Sequence, residues 1–170
     1  TTGYENTAVG KDSLTANTTG FRNQSFGTAS LLANTTGEDN TSLGQSSMQT
    51  NTTGDKNTAV GNYALKSATT ADSNTAVGYY ALYANTTAAS GTAVGKDALK
   101  ANTTGAANTA VGNGAGDNVT TGSNNSFLGL DTGYNLTTGS ANIYVGYNNT
   151  ASAVDVSNEL LIGSNADGGG

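Results

Sequence analysis

Apolar side chains return at two fixed places in a unit of 17 residues that runs from one end of the chain to the other. The first place holds Val9, Phe26, Leu43, Val60, Val77, Val94, Val111, Leu128, Val145 and Ile162. Each is followed by a glycine, at Gly10, Gly27, Gly44, Gly61, Gly78, Gly95, Gly112, Gly129, Gly146 and Gly163, with no insertion between copies. The second apolar place holds Leu14, Leu31, Met48, Leu65, Leu82 and Leu99. Between them lie polar stretches, so the pattern predicts one short strand per unit, ending at the glycine, then a turn and a second inward residue. Side chains alternate across a strand. The valine column is therefore expected to point inward, and the small column beside it (Ala8, Ser25, Ser42, Ala59, Ala76, Ala93, Ala110) outward, as a solvent face or a subunit contact.

A helix does not suit this unit. Two glycines recur in most copies, each costing a helix interior about 1 kcal/mol, among dense Asn and Thr. A fixed period of this length is the signature of a solenoid, in which each copy is one coil stacked on the last. The expected fold is an all-β parallel β-solenoid of ten coils. At a rise of about 4.8 Å per coil it would be about 48 Å long. Thr-Thr-Gly opens most copies, as at Thr18-Thr19-Gly20, and predicts a turn with positive φ at the glycine, although Ala71 and Ala88 replace it twice. The freely varying pairs, such as Phe21-Arg22 and Asp55-Lys56, are expected in solvent.

Composition narrows the function classes. Apolar residues make up 35 % of 170 residues, so a compact three-dimensional core is not expected. The net charge of −6 comes without any cluster of Lys or Arg, which argues against nucleic acid as a partner. With neither Cys nor His, the sequence offers no disulfide, thiol nucleophile or imidazole ligand. No apolar run approaches a membrane span, so no membrane insertion is expected in this segment. The chain begins mid-repeat at Thr1-Thr2-Gly3 and stops at Gly168-Gly169-Gly170, as expected of a piece of a longer protein. Two apolar residues per coil make a thin core against the cost of ordering the backbone. Side-by-side packing of several copies is therefore expected.

The unit Asn-Thr-Ala-Val-Gly-x-x-Ala-Leu, as in Asn57 to Leu65 and Asn74 to Leu82, resembles the head repeats of trimeric autotransporter adhesins. The full unit, Thr-Thr-Gly-x-x-Asn-Thr-Ala-Val-Gly-x-x-Ala-Leu-x-x-Asn, is similar to repeats of long phage tail-fibre and environmental adhesin-like proteins. The likeness covers nearly the whole chain. It implies a left-handed parallel β-roll, three chains around one axis, and exposure on a virion or cell surface. It also implies a host-surface glycan or protein as a further partner. The autotransporter repeats are shorter, so the coil shape does not transfer directly.

Regular repeats occupy residues 1–118, and residues 119–170 diverge. The second apolar place, already lost at Gly116, becomes Gly133 and Thr150, while the small column swells to Phe127, Tyr144 and Leu161. Two readings stand: capping of the solenoid end, or transition to a following module. Ser157 to Gly163 resembles segments that lead toward an intramolecular chaperone domain in tail-fibre-like proteins.

Little else carries chemistry. Lys11-Asp12 and Lys96-Asp97 read as solvated surface rather than an acid–base pair. No cofactor is expected, and Asp131 and Asp155 lack the neighbours a calcium site needs. The Asn-x-Thr/Ser sequons at Asn17, Asn34, Asn51, Asn85 and Asn102 are one turn repeated. Tyr63, Tyr79, Tyr80 and Tyr83 fall in adjacent coils, and Tyr63 should stack on Tyr80, either to strengthen the surface or to grip a ligand. The expected function is a structural fibre segment, shaft or head, that supports attachment. An ice-binding solenoid using the rows of Thr1, Thr18 and Thr35 is the alternative. A carbohydrate-processing enzyme would need paired carboxylates that the scattered acids do not suggest.

Overall fold

The computed structural model describes residues 2–167; Thr1 and the closing glycines 168–170, which entered the reading of the repeat, lie outside the described residues. Ten strands form one parallel sheet: β1 (Thr7–Val9), β2 (Gln24–Phe26), β3 (Thr41–Leu43), β4 (Thr58–Val60), β5 (Thr75–Val77), β6 (Thr92–Val94), β7 (Thr109–Val111), β8 (Ser126–Leu128), β9 (Ile143–Tyr147) and β10 (Leu160–Ser164). Each pairs only with its neighbours in chain order, so the sheet is a stack of successive coils, with about nine turns joining ten strands. Register follows the repeat without slip: Val60 faces Val77, and Ala59 faces Ala76. The protein is an all-β parallel β-solenoid.

The inside and outside of the strand are the reverse of what hydropathy suggests. Ala59, Ala76, Ala93 and Ala110 are fully buried, as are Ser25 and Ser42, whereas Val9 is 55 % and Ile162 70 % exposed. Phe26, Leu43, Val94, Val111 and Leu128 are also exposed, and Val60, Val77 and Val145 are half-buried. The cause is the narrowness of the coil. The chain turns back within five residues, and the Ser25 and Ser30 hydroxyls meet at 2.8 Å across the interior. In the coils whose corner carries a leucine, only two small side chains fit between those walls, so the larger strand residues are turned outward. Apolar residues are not obliged to be inside when the interior has no room for them.

The core is filled instead by Leu14, Leu31, Met48, Leu65, Leu82 and Leu99, all buried. Each holds left-handed backbone, φ 47–52°, which costs a non-glycine residue about 1–2 kcal/mol. Inward projection from a tight corner requires it. Polar residues complete the interior. Asn23, Asn40, Asn57 and Asn74 are buried one above the other, and each side-chain oxygen accepts the backbone N–H of the next coil, as Asn57 Oδ1 does from Asn74 at 3.0 Å. Their Nδ2 groups donate to the carbonyl three places before the next strand's asparagine, as Asn57 does to Ala71 at 2.7 Å. Unpaired buried amides would be costly, and this ladder satisfies them. A second row runs Asn17, Asn34, Asn51 through side-chain bonds of 2.9 and 2.8 Å. It stops where Ala68 follows, leaving Asn51 Oδ1 without a partner.

The glycines divide into two kinds. Gly10 and its nine equivalents have φ of 127–143°, and a Cβ on Gly61 would stand 2.7 Å from the Gly78 carbonyl oxygen. No other residue suits that place. The glycine of Thr-Thr-Gly does not have positive φ, contrary to expectation. Its constraint is crowding, since a Cβ on Gly20 would stand 2.4 Å from the Gly37 carbonyl oxygen. The positive φ falls instead on the variable residue two places later, such as Arg22 and Lys56.

From Asn108 the ladder runs on through Asn125 and Asn142 to the Glu159 N–H in the divergent coils, while the interior changes partners. Phe127 and Tyr144 are buried and stacked, with ring centres 5.6 Å apart. A Cβ on Gly133 would stand 2.3 Å from the Phe127 ring, and one on Gly116 2.8 Å. The rings thus occupy the space that leucines fill earlier. Val119 and Leu136 replace buried asparagines in the same coils. Burial, and then its bond to Glu159 at 2.6 Å, pushes the Tyr144 phenol well above its ordinary range.

Candidate functional site: an outer apolar face and a tyrosine corner

Two surfaces stand out from the polar remainder. The first is the outer face of the sheet. Since the middle residue of each strand points in, its two neighbours point out, giving one row of Val, Phe and Leu beside a second of Thr7, Gln24, Thr41, Thr58, Thr75, Thr92, Thr109 and Ser126. In the last two strands the second row becomes Ile143 and Leu160, 46 % and 62 % exposed. Neither row holds a charged residue. Nine steps between ten strands make a stripe about 43 Å long, and with side chains roughly 10 Å wide it offers about 400 Å², shared between the apolar row and the mostly threonine row beside it.

The other threonine row behaves differently. Thr18 Oγ1 donates to the Thr35 carbonyl at 2.8 Å, and Thr35 to Thr52 at 3.0 Å, so these hydroxyls bind the next coil. The sequon asparagines Asn34, Asn51, Asn85 and Asn102 have buried amides that donate to backbone carbonyls, as Asn102 does to Gly105 at 2.9 Å. Only Asn17 is half-buried among the five.

The second surface is a corner built by the turns after β4, β5 and β6. Tyr63 and Tyr80 stack with ring centres 5.2 Å apart, as one repeat position in consecutive coils should. Tyr79 meets both edge-on, at 6.1 and 4.2 Å, and Tyr83 meets Tyr80 at 4.8 Å. Tyr79 remains 43 % exposed. Lys66, missed from the sequence, sits with Nζ 5.5 Å from the Tyr63 ring and 5.6 Å from Tyr83. Lys100 lies 5.3 Å from Tyr80. The signal was available, because Lys66, Tyr83 and Lys100 share one repeat position in three consecutive coils. The Tyr80 phenol is pushed up, first by the Tyr79 hydroxyl and then by burial, with Lys100 pulling the other way.

Elsewhere the titratable groups are dispersed. Lys96 pairs with Asp97 at 3.1 Å on the surface, and Arg22 with Asp39 at 2.5 Å across two coils. The Arg22 hydrogen bond holds the Asp39 carboxyl below its usual range. Among the described residues no three His, Cys, Asp or Glu side chains gather where they could hold a metal, and no pocket opens. Comparison with protein-family models, with curated proteins and with solved structures finds no match to this chain.

Proposed function

We propose that this chain is a structural segment of a surface fibre, a rigid rod of stacked coils in which three copies pack around one axis through the outer Thr/Val face. The observation that carries it is the uncharged stripe, with its apolar row, running the full length of the described sheet. Burying such a stripe contributes about 25 cal/mol per Å² of apolar surface removed from water. Each coil supplies one side chain to each of the two outward rows, so the contact repeats along the rod and adds with length. Three copies is the number that the resemblance to trimeric adhesin heads implies. A fibre of this kind would stand outside a cell or on a virion and support attachment to a host or other surface.

The same face supplies a specific ground for a second reading, ice binding, because threonine hydroxyls and valine methyls form parallel rows on a regular sheet. Two features favour self-association over it. The strict Thr-x-Val pair is interrupted by Phe26, Leu43, Leu128, Ile143 and Leu160, whose varied bulk suits side-chain packing better than a lattice. The row of Thr18 and Thr35 has its hydroxyls engaged within the coil stack.

Light scattering separates the two. The fibre reading expects a mass near three times the 16.8 kDa of one chain, and dissociation of the Val94→Asp/Val111→Asp double variant with its far-ultraviolet circular dichroism retained. A folded monomer at micromolar concentration would refute the trimer, and thermal hysteresis from such a monomer would establish the alternative.

A further inference from the structure

The tyrosine corner concentrates what the rest of the surface lacks. Four of the eight tyrosines and three of the six cations of the chain, Lys66, Lys96 and Lys100, lie within three consecutive coils. Lys96 and Lys100 share Asp97, at 3.1 and 3.3 Å. Lys66 is different: among the described residues it pairs with no carboxylate, and its ammonium is held between two aromatic rings of neighbouring coils. A cation so placed is attracted by the ring faces and remains open to an anion.

We propose that this corner binds an acidic polysaccharide, a polymer of carboxylate-bearing sugars. Tyr79 presents a partly exposed ring whose position is fixed by Tyr63 and Tyr80, a platform on which the apolar face of a sugar ring can lie while phenol hydroxyls meet its hydroxyl groups. Lys66 supplies the counter-charge for a carboxylate, a charge-assisted contact. Lys100 stands two coils further along, roughly 10 Å away, where it reaches a second point on the same polymer. Because the surface is shallow, specificity comes from the pairing of ring and cation rather than from enclosure. Nucleic acid suits the corner less well, since it needs a longer run of cations along its phosphates, and the whole chain carries −6. One chain holds every residue of the site, so the proposal does not depend on the trimer.

The test is affinity electrophoresis of the intact chain through gels containing alginate, with neutral dextran and single-stranded oligo(dT) as parallel probes. Alginate repels an acidic protein in general, so retardation reports a specific contact. The expected result is retardation by alginate alone, relieved by salt. Lys66→Gln and Tyr79→Ser should each weaken it about tenfold, the scale of one charge-assisted or ring contact, with unchanged thermal melting, and Lys66→Arg should restore part of it. Absence of retardation by alginate, equal retardation of wild type and both variants, or retardation by dextran or oligo(dT) instead, would each overturn the proposal. Light scattering on the same samples keeps the readings apart: lost binding at unchanged mass removes this site and leaves the fibre, while binding by a monomer does the reverse.

Discussion

The asparagine ladder has one gap, and filling it should stabilise the protein. At Gly91 the repeat places glycine where neighbouring coils have Asn74 and Asn108. The Gly91 N–H still donates to Asn74 Oδ1 at 2.8 Å. The Asn108 N–H, however, finds no acceptor among the described residues, whereas its equivalent Asn125 donates to Asn108 Oδ1 at 2.9 Å. Gly91→Asn supplies that acceptor and adds an Nδ2 group placed to donate to the Gly105 carbonyl, as Asn74 does to Ala88 at 2.9 Å. The backbone has no positive φ there, and a Cβ would stand 3.0 Å from Asn74 Oδ1 and 3.4 Å from Leu82, a fit requiring shifts of a few tenths of an ångström. Two buried hydrogen bonds at about 1 kcal/mol each, plus about 0.5–1 kcal/mol from removing a glycine from the unfolded chain, outweigh about 1 kcal/mol of side-chain ordering. The expected gain is about 1–2 kcal/mol. Urea unfolding followed by circular dichroism measures it, with Gly91→Ala as the control that adds a Cβ but no amide. Should the asparagine variant prove no more stable than the alanine variant, the ladder is not contributing as argued.

Three other outcomes follow from the same structure. Gly61→Ala combines a φ of 129° with a Cβ 2.7 Å from a backbone oxygen, and should lower stability in urea by about 3 kcal/mol or more. Gly116→Leu should destabilise alone, because Phe127 fills that space; combined with Phe127→Ala, which rebuilds the earlier repeat, it should recover part of the loss, a coupling of about 1–3 kcal/mol in a double-mutant cycle. Burial, followed by the charge of Asp131, raises the Asp117 carboxyl above its ordinary value, so the folded state favours its protonated form. Its stabilising contribution is present below the unfolded value of about 3.9 and is lost as pH rises through the folded one. Asp117→Asn should therefore raise the urea midpoint at pH 7, by an amount that shrinks as pH falls toward that range; a constant difference across pH would contradict this.

How much of this was legible beforehand depends on which physical rule was in command. The 17-residue spacing by itself settled coil count, parallel pairing and register, because identical side chains stacked at one rise are the only economical use of a strict period. Val60 and Val77 accordingly lie side by side. The stacking of Tyr63 on Tyr80 followed by the same logic. The exchange of bulk between Gly116 or Gly133 and Phe127 was visible as a pattern, and its meaning came from finding the rings in the vacated space.

The face assignment required the tertiary structure. Alternation states that Ala59 and Val60 point opposite ways, but not which of them is inside, and hydropathy gave the wrong answer because the corner leucine already fills the narrow interior and leaves the strand's inward position room for a small side chain only. A clue was present in the paired changes Ser25 with Ser30, Ser42 with Ser47 and Ala59 with Ala64: the serine pairs touch across the interior, and both alanines are buried. Likewise the Thr-Thr-Gly glycine answers to a carbonyl in the next coil, a contact that no local turn rule contains. The sequence alone determined how the coils repeat, since periodicity is a one-dimensional property. The width of the coil decided what each column faces, because the room for a side chain exists only once the chain has closed upon itself.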